Sequence, residues 1–340
     1  MPPVIDLHCD TLYRLSHAPE QFFAPPDTPH SHISFSGLCG VGSLLQCFAV
    51  FTDLCELPSP SPLSALKEQL ACFQTILSRS GGQLWQIKTA SQLIECIRQR
   101  KTGALLTLEE SCLSERPVSL LPELYELGIR MATLTWDYST VLASSAANAA
   151  PVPLPHRYSF SRAFSPVSDS HPGLTPAGFD FVEEAERLGI LIDVSHLSDA
   201  GFRDVAAHSK RPFLASHSNS RAVCNVPRNL SDDMLRTLAR RGGLTGLCLH
   251  EPFLTPTPHS SETVAEALVS HVKHILSVAG SEVLALGTDF DGTPGNSAVP
   301  NVTRLPHLAD LFKKAGLTSG QIDNIFYQNA LRFFRENLPG

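Results

Sequence analysis

The chain has 340 residues, 43% of them hydrophobic and 17% charged, with a formal net charge of −7. That is enough apolar content for a large core; the length allows one or two domains, and because an α/β barrel of this size can be one domain, a single domain over 1–340 is expected. No basic run is longer than Arg240-Arg241 or Lys313-Lys314, which excludes the electrostatic footprint of a nucleic-acid binder.

No apolar run approaches a membrane span. Met1 leads through two prolines with no basic and apolar leader, so a soluble cytoplasmic protein is expected. The cysteine count is nine, and no pair has Cys-x-x-Cys spacing. Most are expected to be reduced, buried small apolar residues rather than zinc ligands.

In chain order, short apolar runs fall at 4–7, 44–51, 104–108, 129–135, 190–194, 212–215, 244–249 and 283–287. Helical patterns lie between most of them. Leu63, Leu66, Leu70, Phe73 and Leu77 mark a helix over 62–79, and Leu93, Ile94 and Ile97 mark one over 90–100. A third, over 118–127, ends at Gly128. Thr175-Pro176 opens a helix that stops at Gly189, and Ser198 precedes one over 199–208. Ser231-Asp232-Asp233 opens another, closing at Gly242-Gly243, and 262–279 reads as a long helix. Thr318 and Gln321 form a capping box at the start of the last helix.

Eight strands alternating with helices predict a parallel sheet closed as a (β/α)8 TIM-type barrel. The extra length falls in 20–43 and in 137–174, and the second segment is expected to cover the active face.

Chemistry gathers where the strands end. The first run leads into His8 and Asp10, which alternation places on one side of a strand. The third ends in Glu109-Glu110, the fifth in His196, the sixth in His217 and the eighth in Asp289. In a barrel these strand ends meet on one face, where active sites lie. Histidines and carboxylates without thiols form a zinc-type donor set. This many ligands suits two metals sharing a bridging carboxylate. Arg221 and Arg228, in the loop after the sixth strand, are candidates to hold a carboxylate. His250 ends the seventh strand and is a candidate pocket residue, whereas His208, His271 and His274 on helices are expected to have surface or structural roles.

These segments resemble the renal (membrane) dipeptidase family, metallopeptidase family M19, in a bacterial-type cytoplasmic form. The likeness is carried by Ile5-Asp6-Leu7-His8-Cys9-Asp10, Leu108-Glu109, Gly128 to Thr135, Gly173 to Gly178, Ile192 to His196, Ser216 to Asn219, Arg228 to Asp233 and Gly287 to Gly292. The resemblance implies a distorted (β/α)8 barrel holding two zinc ions. By it, His8 and Asp10 bind one zinc, His196 and His217 the other, and Glu109 bridges them together with a water or hydroxide. It makes Arg228 the anchor for the substrate's carboxylate, with Asn229 beside it a further expected contact, and Asp289 the residue that handles the proton. Dipeptides are the implied substrates and hydrolysis by the bridging hydroxide the implied reaction. A homodimer is implied by the likeness alone.

Two positions depart from the pattern. Trp136 stands where the best-studied members have a histidine that contacts substrate, and His250 where an aromatic tyrosine is frequent. Both are expected to shape substrate preference, and Glu110 occupies a position where the family commonly has glycine. The competing readings are another metal-dependent hydrolase on this barrel and a catalytically weakened peptide-binding relative.

Overall fold

The computed structural model describes residues 2–26, 28, 30–54, 61–146, 173–256 and 260–340. Among the described residues are nine strands: β1 (Val4–Asp6), β2 (Ser43–Phe51), β3 (Leu84–Gln86), β4 (Thr102–Glu109), β5 (Ile129–Thr133), β6 (Leu191–Asp193), β7 (Leu214–Ala215), β8 (Leu244–Leu247) and β9 (Leu284–Leu286). Eight of them, all but β3, close into a parallel barrel in which β4 returns to β2. Neighbours in this circle are neighbours in sequence, as short right-handed β-α-β connections require.

The barrel is lopsided. The β2–β4 ladder runs from Leu45↔Gly103 to Phe51↔Glu109, whereas β1 meets β9 through Asp6↔Leu286 and β6 meets β7 through Asp193↔Leu214. The additional strand β3 lies outside the circle. It pairs with Thr102 to Ala104 at the start of β4, below the stretch from Leu106 where β5 joins.

Helix ends follow local chemistry. Ser61, Thr89, Thr175, Ser198, Ser231, Ser260 and Thr318 each accept a first-turn backbone N–H, which satisfies a donor that the helix itself cannot. The helix expected over 90–100 spans Ala90–Arg98 and buries Leu93 and Cys96, while Ile94 is 48% exposed and turns away from the core. The last helix is interrupted, with a wide turn over Asn324–Gln328 before Asn329–Asn337. A helix over Leu305–Lys314 was not foreseen. It grows directly from the 3-10 turn Val302–Arg304, which Asn301 caps, so the helix itself has no capping side chain at its start.

One apolar cluster draws Ile5, Leu45, Leu105, Met131, Leu191, Leu214, Leu244 and Ala285, a side chain from every barrel strand, and so fills the interior. Phe333 and Phe334 of the last helix join it. A larger cluster, including Phe48, Phe73, Phe181, Phe213 and Phe312, packs the helices on the barrel's outside. Each buried phenylalanine stabilises the fold by about 2–3 kcal/mol.

Toward the active face the interior tightens. A Cβ on Gly246 or Gly287 would lie 1.8 Å from the Ser216 carbonyl oxygen, so only glycine lets β7, β8 and β9 close around that residue. Of the segment expected as a cover, residues 147–172 lie outside the described residues. Its flanks pair Ala143 with Leu174 and Ser145 with Leu197, on the active face. Among the described residues, no helix is long and apolar enough to cross a membrane.

Candidate metal centre

The strand ends bring the six expected side chains together. His8 Nε2 lies 3.3 Å from Asp10 Oδ2, 3.3 Å from Glu109 Oε2 and 4.0 Å from Asp289 Oδ1. Glu109, the last residue of β4, directs its other oxygen across the barrel. Oε1 lies 2.9 Å from His196 Nε2 and 3.6 Å from His217 Nε2. The groups His8-Asp10-Glu109 and Glu109-His196-His217 each place three ligand atoms within 4.8 Å of one another, and Glu109 belongs to both. A third such group is His8, His217 and Asp289. All six residues are buried.

The backbone turns sharply where it delivers them. Glu110 (φ +69°), His196 (φ +67°), Asp289 (φ +61°) and Asp291 (φ +70°) hold the left-handed conformation, which side chains other than glycine rarely adopt. Such strain persists where the surrounding structure over-determines it. Asp291 is held by the Thr11 and Ser31 hydroxyls, each at 2.6 Å. This pins the 20–43 insertion to the turn that carries Asp289.

Burial and the close packing of acids against imidazoles set the electrostatics of the centre. Burial and the Glu109 charge push Asp10 up to about 8, and burial raises Asp289 to about 6. Burial opposes ionisation of Glu109, yet His8 and His196 hold it well below the usual range. Burial and the neighbouring His8 keep His217 well below the ordinary imidazole value. Asp10 Oδ1 is buried with no hydrogen-bond partner.

The outer nitrogens of both histidines are engaged. His196 Nδ1 lies 2.8 Å from Asp137 Oδ1, and His217 Nδ1 lies 2.8 Å from Ser216 Oγ, whose hydroxyl donates to Asp193. The two Nε2 atoms, turned inward by these outer contacts, approach each other to 2.9 Å. That contact, together with the orphaned Asp10 oxygen, fits bound cations.

Around this centre lie the residues expected to meet substrate. Arg228 is buried and its Nε and Nη2 have no hydrogen-bond partner, while Nη1 reaches Ser218 Oγ at 3.5 Å. Its guanidinium sits 5.3 Å from the Phe253 ring centre, and His250 packs edge-on against the same ring at 4.5 Å. Trp136 is half-buried, 4.9 Å from Phe51 and 6.2 Å from His196 between ring centres. The other candidate, Arg221, is committed to a two-pronged pair with Asp199 at 2.7 Å and braces the loop that carries Arg228.

Asn229, expected beside Arg228 as a contact, turns inward. It is fully buried, its amide donates to the Cys224 and Phe253 carbonyls, and its oxygen accepts the Asn219 N–H. With both amide hydrogens committed to backbone carbonyls, it braces the loop that carries Arg228. The structural expectation for His271 agrees with its position. It is buried, accepts the Ser220 N–H at 3.1 Å and lies 3.0 Å from the Leu254 carbonyl.

Several residues at the centre were not foreseen. Asp137 and Asp193 hold the outer nitrogens of the histidines, directly or through Ser216. Phe253 lies under Arg228, and Cys248 points its thiol at Asp289 Oδ2, 3.6 Å away. Gly292 leaves room for the acids, because a Cβ there would come within 2.2 Å of Asp10 Oδ2 and 2.5 Å of Asp289 Oδ1. For Asp193 a signal existed: a carboxylate inside the apolar run 190–194 has to be partnered if buried.

A family model described as membrane dipeptidase (peptidase family M19) matches residues 1–338. An uncharacterised protein encoded in the pqqA 5′ region of Klebsiella pneumoniae is 28% identical over 275 residues, covering 81% of this chain and 96% of its own length. Dipeptidase verJ of Clonostachys rogersoniana is 30% identical over 271 residues, 79% of this chain, which spans 64% of that relative's length. Among solved structures, the M19 metallopeptidase called dipeptidase AC superposes with a TM-score of 0.82 at 26% identity, covering 100% of this chain and 99% of that one. A metallopeptidase from Rhodobacter sphaeroides, solved with a phosphinate mimic of L-Ala-D-Ala, gives 0.79 at 24% identity, covering 99% of both chains.

Proposed function

This chain belongs to the membrane dipeptidase family, peptidase family M19, and we propose that it hydrolyses the peptide bond of dipeptides with two zinc ions held at the centre described above. The observation that carries this reading is Glu109, whose two oxygens face two separate ligand groups. His8 and Asp10 would hold one ion, His196 and His217 the other, and Glu109 both. Zinc bound there supplies Lewis acidity toward the scissile carbonyl and lowers the pKa of water toward neutrality.

The chain's own residues do the rest. Arg228 offers a buried guanidinium with two unpartnered nitrogens, which suits a two-pronged grip on the dipeptide's terminal carboxylate. That grip places the reacting carbonyl beside the centre. Asp289, next to His8 and raised toward neutral pH by burial, takes the proton from the attacking water and returns it to the leaving amine. Ser216 and Asp193 behind His217, and Asp137 behind His196, keep the Nε2 lone pairs aimed at the centre. Trp136 and His250 flank the approach and are the proposed determinants of side-chain preference. The described cysteines are all free, in keeping with a reducing compartment, and the cytoplasm is the proposed location.

The test is steady-state hydrolysis of simple dipeptides by the zinc-loaded chain, run beside a lactone, a cyclic amide and a phosphotriester. Turnover of dipeptides is expected. Turnover confined to one of the other substrates would replace this reading with a different barrel hydrolase. Zinc binding with no turnover of any of them would favour the peptide-binding alternative.

A further inference from the structure

Asp137 follows Trp136 beyond the end of β5 and touches both halves of the proposed site. Its Oδ1 lies 2.8 Å from His196 Nδ1 and 3.9 Å from Arg228 Nε. His196 turns its other ring nitrogen toward Glu109, and Arg228 carries the unpartnered guanidinium edge. One carboxylate oxygen thus stands between a metal-type ligand and an anion anchor.

The segment is held in place from behind. Glu110 is fully buried, accepts the Trp136 N–H at 3.0 Å through Oε2, and accepts the Cys112 N–H at 2.7 Å through Oε1. Asp137 itself keeps 42% of its side chain exposed, so it faces the approach to the site rather than the core.

The two contacts of Asp137 have different physical character. The contact with His196 is a hydrogen bond that fixes ring orientation and tautomer. At 3.9 Å, the contact with Arg228 is too long for a hydrogen bond and acts through charge. The Nε and Nη2 of an arginine form one edge of its fork, the edge that receives a carboxylate in two-pronged fashion. A carboxylate arriving there meets the negative charge of Asp137.

Resting on the dipeptidase reading, we propose that Asp137 is a positioning residue with opposed effects: it orients His196 for the metal while weakening the hold of Arg228 on the substrate's carboxylate. A weaker grip applies equally to the amino-acid product that carries the same carboxylate, and so favours its release.

The test compares full-length wild type, Asp137→Asn and Asp137→Ala. Asparagine keeps an acceptor for His196 Nδ1 and removes the charge. In that variant KM for a dipeptide is expected to fall about threefold to tenfold, a range that allows for screening at a partly exposed carboxylate. Its kcat is expected to fall about tenfold as His196 loses a charged partner. In Asp137→Ala, zinc titrated into metal-free protein is expected to bind one of its sites about ten- to a hundredfold more weakly.

N-acetylglycine, a carboxylate probe without a free amine, should bind metal-free Asp137→Asn more tightly than metal-free wild type. An unchanged or higher KM in Asp137→Asn overturns the proposal. So does wild-type zinc affinity in Asp137→Ala. If Asp137→Ala does not fold, the asparagine variant decides alone. If wild type hydrolyses no dipeptide, the functional reading fails, while the zinc and N-acetylglycine titrations still judge Asp137.

Discussion

Glu109 and His196 meet at 2.9 Å through Oε1 and Nε2, while the other oxygen of Glu109 lies 3.3 Å from His8. One side chain at the end of β4 therefore ties the end of β1 to the end of β6 across the barrel mouth. The two ligand groups are not independent, and a change at one is expected to register at the other.

Asp289 is the proposed proton carrier, so Asp289→Asn should keep the wild-type metal content and lose about 10²- to 10⁴-fold in kcat. The carboxylate has to be ionised to accept a proton. Burial raises it to about 6, and bound cations would pull it lower. The acid limb of kcat/KM should therefore fall at or below about pH 6, and the asparagine variant should lack it. Normal turnover in Asp289→Asn would assign the proton to another group.

Gly292 leaves room for two acids. Gly292→Ala would place a methyl group 2.2 Å from Asp10 Oδ2 and 2.5 Å from Asp289 Oδ1. Metal bound by the His8 and Asp10 half should drop and turnover should drop with it, read by elemental analysis and dipeptide hydrolysis. A fully metallated, active alanine variant would show that these carboxylates have freedom that the packing denies them.

Glu110 combines a left-handed backbone with two hydrogen bonds to buried N–H groups. Glu110→Ala keeps the strain and loses the bonds, whereas Glu110→Gly loses the bonds but relieves the strain. Urea unfolding should rank wild type above Gly and Gly above Ala, with the two variants about 1 kcal/mol apart. Equal stability of the two variants would mean that the left-handed turn carries no strain.

His271 joins the loop after β7 and the turn after β8 to the helix Ser261–Ala279 by accepting the Ser220 N–H and bonding the Leu254 carbonyl. Burial pushes it down to about 4, so the folded protein holds it neutral. The unfolded chain takes up that proton near pH 6.5 and the folded one does not. Its contribution is therefore complete above about pH 6.5 and is lost as pH falls toward about 4, at most about 3 kcal/mol. Urea unfolding of wild type should show this loss, and His271→Asn should show a shallower slope over the same window. Equal slopes would remove His271 from the acid response.

The barrel was legible because β2, β4 and β5 are long apolar runs, and because Thr175, Ser198 and Ser231 announce their helices with side-chain caps. The short β3 was not, since three residues between two helices carry no periodicity. At the site, residue type at a strand end was enough to pick out His8, Asp10, Glu109, His196, His217 and Asp289 as side chains that come together. It failed where direction decides. Arg221 and Arg228 share a loop and a charge, yet one pairs with Asp199 and the other keeps a free edge. Asn229 turns inward to backbone. Asp137 acquires its meaning only when the end of β5 comes beside His196 and Arg228.

The most direct test of the shared carboxylate is zinc per chain, measured by elemental analysis after dialysis, for wild type, His217→Ala and Glu109→Ala. Wild type should retain about two ions and His217→Ala about one. Glu109→Ala should fall below His217→Ala, because its loss weakens both groups. A wild type that saturates at one ion, or a Glu109→Ala variant that keeps two, would contradict a centre built on Glu109.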